Sequence, residues 1–307
     1  MSGTAWVWGL PLARMTRVEA ADAVMDLIKA GRPSFFITAN AHYAMLTAER
    51  PELQPINDRA AFVLADGLPM VWASKRGPTP LPERVAGSDL IYDLCERAAK
   101  LGLGVYLLGG AEGIADEASR KLQSLYPGLR VVGTACPPPG SLVGEGCRKI
   151  IAVVRAAKPD LLLVAFGQPK GELWIDEHLD ELGVPVCVQV GATLDFVAGR
   201  VSRAPRFFQK TGLEWAYRIY TDPARLGPRY AKNAVFLFRQ VASEILGVGG
   251  RDKASGSGTV APSGIRPGRS ITTREGHGAE GRGSVETDHH QPVTAEAGDV
   301  APFEDFT

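Results

Sequence analysis

Long apolar runs are missing from this chain. The longest, such as Leu161 to Phe166, fall far short of the roughly 18 residues that cross a bilayer, so no spanning helix is expected. Net charge is missing too: 34 Lys and Arg face 34 Asp and Glu, which removes the global basic field of a nucleic-acid binder. Cysteine is scarce and scattered. Cys95, Cys136, Cys147 and Cys187 form no C-x-x-C pair and have no histidine at ligand spacing, so neither a zinc site nor a disulfide framework is expected. The N-terminus has no basic start and carries Pro11 and Arg14 where a signal peptide holds its apolar run, so export is not expected. Several catalytic signatures are also absent. No G-x-G-x-x-G leads from a strand into a helix, since Gly102-Leu103-Gly104 precedes its strand, and this disfavours a dinucleotide dehydrogenase. There is no Walker sequence and no G-x-S-x-G elbow. No Asp-x-Asp holds a divalent cation beside a sugar diphosphate, so no metal ligand is assigned, and a departing phosphate here relies on cationic side chains and backbone amides.

What is present is a chain of 307 residues, 45% hydrophobic, enough for a full core with appendages. Residues 1–199 alternate short apolar runs with helical patterns. The runs are Phe35 to Thr38, Phe62 to Ala65, Val105 to Leu108, Leu129 to Val132, Leu161 to Phe166 and Val186 to Val190. Most are unbroken rather than alternating, as strands covered on both faces are. Thr16-x-x-Glu19 is a capping box, Ser88 stands where a cap for Asp89 to Lys100 belongs, and Gly102 is placed as a C-terminal stop. The expected class is α/β, a mostly parallel sheet flanked by helices, with ligands at the carboxyl ends of its strands.

Residues 200–246 differ in character. Between Arg200 and Gln240 nine basic residues face only Glu214 and Asp222, interleaved with Phe207, Phe208, Trp215, Tyr217, Tyr220, Phe236 and Phe238. The pattern is two helices split by Asp222-Pro223, either packing aromatics on the sheet or lying on an anionic surface. Exposed aromatics there leave self-association open. From Gly247 to Thr307 the chain is rich in Gly, Ser, Thr and Pro and is read as a disordered tail; its His277, His289 and His290 are given no function.

Polar residues cluster at predicted strand ends. Ala65-Asp66-Gly67 puts a carboxylate where a general base sits in a parallel sheet, and equally forms a turn. Thr38 and Asn40 can orient a sugar or a pyrophosphate, or cap the helix that begins near His42. For His42 an acid–base role and simple packing both stay open; His178, among Asp176, Glu177 and Asp180, is read as part of a solvated face. Gly109 and Gly110, between a strand and a helix, suit an anion or a tight turn. Gly167-Gln168-Pro169-Lys170-Gly171-Glu172 and Gly191-Ala192-Thr193-Leu194-Asp195 are two further glycine-bearing strand ends. Together they suggest a nucleotide-sugar cleft.

These pieces stand in the order found in one family. Thr38-Ala39-Asn40, Ala65-Asp66-Gly67-Leu68-Pro69, Gly167-Gln168-Pro169-Lys170-x-Glu172, Gly191 to Gly199, Arg203-Ala204-Pro205, Gly212-Leu213-Glu214-Trp215-x-Tyr217-Arg218 and Pro223-x-Arg225 together resemble the WecG/TagA/CpsF glycosyltransferases, from about Val7 to Val241. The resemblance implies a Rossmann-like core with a helical appendage. It also implies inverting, metal-independent transfer of a hexose from a UDP-sugar to a polyprenyl-diphosphate-linked sugar in bacterial surface polysaccharide synthesis, with no cofactor. By motif position Asp66 is the implied general base and Thr38 its neighbour. Strand-end placement makes Asn40, Gly109, Gly110, Gly167, Gln168, Lys170, Glu172, Gly191 and Asp195 the candidate substrate contacts. Arg218, Arg225 and Arg229 would close over the diphosphate and face an anionic membrane, with the enzyme cytoplasmic and peripheral on the inner face. Gly171 departs from the family's frequent second Gln. A non-catalytic nucleotide-sugar or membrane-surface module, and an oxidoreductase on the same type of core, are the other classes the sequence leaves open.

Overall fold

The computed structural model describes residues 3–138, 140–201, 204, 205, 208, 214–221 and 223–245. The tail from residue 247 lies outside the described residues. The chain opens with an antiparallel hairpin, β1 (Thr4–Val7) and β2 (Leu10–Ala13), that the apolar runs do not announce. Helix α1 (Arg17–Ala30) starts at the Thr16–Glu19 capping box, both halves of which form, and stops at Gly31 in the left-handed conformation. Then follow β3 (Ser34–Ala39), α2 (Ala41–Glu49), α3 (Gln54–Arg59), β4 (Val63–Ala65) and α4 (Leu68–Ser74). The second half comprises α5 (Gly87–Leu101), β5 (Gly104–Gly109), α6 (Ile114–Leu125), β6 (Arg130–Ala135), α7 (Gly144–Ala157), β7 (Leu161–Ala165), α8 (Lys170–Leu182), β8 (Val186–Gln189) and α9 (Thr193–Ala198). Two helices close the described chain, α10 (Glu214–Thr221) and α11 (Pro223–Ile245); the expected break at Asp222 falls outside the described residues.

Two local expectations are corrected. Helix α5 begins at Gly87, with Ala86 as its N-cap and no side-chain cap, so Ser88 lies inside the first turn. Strand β6 runs to Ala135 rather than ending at Val132, because it pairs with β5 all the way to Leu108↔Ala135. Gly102 does end α5, at φ 66°.

Among the described residues eight strands form one sheet in the order β1-β2-β4-β3-β8-β7-β5-β6, parallel throughout except for the β1–β2 hairpin. Central strands are buried on both faces, which is why their sequences run apolar without alternating. Successive side chains still point opposite ways. Phe35, Ile37 and Ala39 join the core formed with α2, α3, α7 and α8, while Phe36 joins that formed with α1, α5, α6 and α9. The result is a mostly parallel α/β sandwich of three layers. From β3 the chain steps to β4 on one side, then crosses to β5 beyond β8 and β7, so β3 and β8 border the switch in strand order where such sheets open a crevice.

Candidate active site

The carboxyl ends of β3, β4 and β7 meet beside that switch. Residue Asp66 follows β4 directly, and its N–H donates to Ala39 O at 2.7 Å, which ties it to the end of β3. Thr38 occupies the β3 position paired with Leu64 and is only 6% exposed. The first residue of α5 presses against it: a Cβ on Gly87 would come within 3.2 Å of Thr38 Oγ1. Close approach of a helix start to a strand end calls for glycine here. The segment before α5 crosses the same edge, with Val85 N–H donating to Ala65 O at 2.9 Å. Arg84, the residue before Val85 in this segment, binds Asp89 at 3.2 Å. No motif pointed to Arg84; its signal is a cation in the loop that returns over β4.

Asn40 does two jobs. Its Oδ1 accepts from Tyr43 N–H at 3.0 Å and so caps α2, while its Nδ2 donates to Gln168 Oε1 at 3.0 Å. Gln168 follows Gly167, which turns at φ 80°, and precedes Pro169 through a cis peptide. Its Nε2 donates to Thr38 O at 3.1 Å and to Glu172 Oε1 at 2.8 Å. Glu172 lies in the first turn of α8, 1% exposed, and burial pushes its carboxyl up to about 7 against the Gln168 hydrogen bond. Behind it Tyr43 donates to Asn57 Oδ1 at 2.9 Å, and burial, with Glu172 and Asp176 near, raises its phenol.

A cleft of about 670 Å³ opens next to this cluster, over the ends of β5, β6 and β7. Gly109, Gly110, Ala111, Glu112, Cys136, Pro137, Pro138, Phe166 and Lys170 are among its lining. Gly109 adopts φ 104° and lies so close to β7 that a Cβ would stand 2.8 Å from Ala165 O. The Gly110 N–H is turned inward to that same oxygen at 3.1 Å. Of the loop's expected anion donors, that amide is therefore already engaged. The first turn of α6 carries Asp116 and Glu117, which opposes an anion there, so Lys170 is the cation of this cleft's lining.

Gly191 and Asp195 follow β8, Gly191 at φ 57°, and neither lines the cleft; α9 packs Leu194, Val197 and Ala198 into the core shared with α5 and α6. The side chains of Arg218 and Arg225 lie outside the described residues. Arg229 is on α11, which packs against α2. His42, in the first turn of α2, meets that helix: its Nδ1 is 3.0 Å from Oδ1 of Asn233, and its imidazole is held down at about 4, first by burial and then by Arg229. Trp8, at the tip of the β1–β2 hairpin, meets Phe236 edge-on at 5.9 Å. His178 is not on a solvated face as expected. Its side chain is 15% exposed, beside Trp174 and 3.3 Å from Cys147 Sγ, because α7 packs over it. All four cysteines are free.

Open α/β sheets bind their ligands in the crevice at the switch in strand order, and the convergence of Thr38, Asn40, Asp66 and Gln168 there, with a cleft alongside, describes an α/β enzyme site. The chain belongs to the glycosyl transferase WecG/TagA/CpsF family, which it matches over residues 5–248, through the end of α11. It is 31% identical over 192 residues to the N-acetylglucosaminyldiphosphoundecaprenol N-acetyl-beta-D-mannosaminyltransferase of Bacillus spizizenii, covering 62% of this chain and 73% of the relative. The enzyme is a glycosyltransferase.

Proposed function

We propose that this glycosyltransferase moves a hexose, of N-acetylmannosamine or glucose type, from a UDP-sugar to a polyprenyl-diphosphate-linked sugar, with inversion and without a metal, in the synthesis of a bacterial surface polysaccharide. The activity for which the Bacillus relative is named, mannosaminyl transfer to an N-acetylglucosaminyl-diphosphate lipid, supports the acceptor class. The observation that carries the reading is the gathering of polar groups at the carboxyl edge of one sheet: Asp66 N–H is bonded to the end of β3, Gln168 joins Thr38 O to Asn40, and a cleft lies over the ends of β5 to β7 on the same edge.

In this reading UDP lies in the cleft with Lys170 at its diphosphate. The acceptor hydroxyl attacks the anomeric carbon from the opposite side and gives its proton to Asp66. The bond from that carbon to the diphosphate oxygen breaks, and UDP leaves with the electron pair, its charge met by Lys170 and by the arginines of α10 and α11. Thr38 Oγ1 orients the sugar beside Asp66. No helix among the described residues is long and apolar enough to cross a membrane. Exposed Tyr220, Val235 and Phe238, on helices rich in arginine, support peripheral contact with the anionic cytoplasmic face where the lipid carrier lies.

The test is UDP release from a panel of UDP-hexoses with a short-chain lipid-diphosphate-linked N-acetylglucosamine, in EDTA, with wild type and Asp66→Asn. Acceptor-dependent release from one donor, unaffected by EDTA and reduced roughly 10²- to 10⁴-fold in the variant, is expected. Silence across the panel while UDP still binds contradicts the reading, and loss of activity in EDTA removes its metal-independence.

A further inference from the structure

Glu172 is a puzzle of burial. Its carboxyl is 1% exposed, Oε1 accepts one hydrogen bond from a neutral amide, and Oε2 has no partner. Removing a carboxyl from water is unfavourable, and neutral donors, the Gln168 amide and the Glu172 backbone N–H, do not restore what hydration supplied. Nor can it reach a ligand itself. The first turn of α8 packs closely on β8: a Cβ on Gly171 would lie 2.4 Å from the Gln189 carboxamide carbon, so a larger residue there would have to displace that amide.

The role lies one residue outward. Both hydrogens of Gln168 Nε2 are engaged, one by Glu172 Oε1 at 2.8 Å and one by Thr38 O at 3.1 Å. Its Oε1 must then face Asn40, whose Nδ2 it accepts at 3.0 Å, and Asn40 is itself oriented by the Tyr43 N–H on its Oδ1. The amide chain thus has a single polarity. What it leaves for a ligand is the second lone pair of Gln168 Oε1 beside the second N–H of Asn40. An acceptor next to a donor is the complement of a sugar hydroxyl, which gives one hydrogen bond and takes another.

We propose that Glu172 is a positioning residue: it pins the Gln168 amide so that Gln168 and Asn40 present a hydroxyl-reading edge beside Asp66. The inference rests on the sugar-transfer reading above, since it assigns the hydroxyl to a substrate sugar. A donor ring that is bound but misoriented reacts slowly, so the effect falls on kcat.

Glu172→Leu and Glu172→Gln are compared by UDP release at saturating UDP-hexose, using whichever donor the wild type turns over. Glu172→Gln keeps an acceptor for Gln168 and is expected within threefold of wild type. Glu172→Leu is expected to lower kcat roughly 10- to 100-fold with KM changed less than threefold, while its Tm at pH 8 is no lower than wild type, because a buried carboxyl has been replaced by an apolar group. Glu172→Met is run in parallel as a more adaptable side chain. On a Gln168→Leu background, Glu172→Leu is expected to add no further loss, since it acts through that amide. Wild-type kcat in Glu172→Leu, a fall in kcat matched by a fall in Tm, equal losses in the Gln and Leu variants, or additivity with Gln168→Leu each overturn the proposal. An inactive wild type would instead count against the sugar-transfer reading itself.

Discussion

The carboxyl edge of the sheet is made of two unlike halves. Over β4 and β3, and the loop that follows β7, side chains are locked to one another: Asn40, Gln168, Glu172 and Thr38 O form a chain in which almost every donor has a partner. Over β5 and β6 the lining is mostly small or apolar residues, glycine and proline among them, around an open volume of about 670 Å³. The first half is pre-organised, as a centre that must hold atoms at reacting geometry needs to be. In the proposed reaction the second is a receptacle from which UDP can leave. The same fold supplies both because glycine at Gly109 and Gly110 lets β5 turn tightly, whereas Asn40 and Gln168 are held by helix starts.

Breaking the receptacle at its backbone has the largest structural effect expected. Gly109→Ala forces a side chain into the left-handed region and to within 2.8 Å of Ala165 O, and urea unfolding should show a loss of about 2 kcal/mol or more. Removing only its charge is milder in that respect. Lys170→Ala should weaken UDP binding roughly tenfold by calorimetry, as loss of a charge-assisted hydrogen bond does, with stability unchanged.

The join between the locked half and α11 is tested by His42 and Asn233, which face each other at 3.0 Å. Either replaced by Leu leaves a partly buried polar partner, at a cost of about 1–3 kcal/mol in unfolding; both replaced together should cost less than the sum of the two. Additive losses would mean that the contact is incidental.

The smallest net effect is in pH, because two buried groups act in opposite directions. Burial holds Glu172 at about 7, above its ordinary 4.5. Between those values the native chain keeps a proton that the unfolded chain has lost, so this group's contribution falls as pH rises from about 4.5 to 7, by on the order of 3 kcal/mol at most. His42 has the opposite sign: held down at about 4 from 6.5, it makes stability rise with pH over that window. The two contributions offset each other in part. The difference Tm of Glu172→Gln minus wild type isolates one limb and should widen from pH 4.5 to 7; a constant difference would show Glu172 ionised throughout.

Much of this edge is legible in sequence. Unbroken apolar runs locate six strands, and strand-end logic finds Thr38, Asn40, Asp66 and Gln168 because parallel sheets bring their carboxyl ends together whatever the loops do. The β1–β2 hairpin is missed: its strands have four residues each, too few for a period, and its turn is Trp8-Gly9, both at positive φ, rather than Asn-Gly. Contacts that depend on packing partners distant in sequence are equally silent. His42–Asn233 spans 191 residues, and the burial of His178 comes from α7. Glu172 is visible as a motif letter, but its depth beneath Gln168 depends on Gly171 and Gln189 fitting together across α8 and β8.

One measurement tests the division of labour directly: UDP affinity by calorimetry and acceptor-dependent turnover, both on Asp66→Asn. The account predicts a UDP Kd within threefold of wild type together with turnover reduced roughly 10²-fold or more. A weakened Kd with turnover restored at saturating donor would assign Asp66 to the receptacle and contradict it.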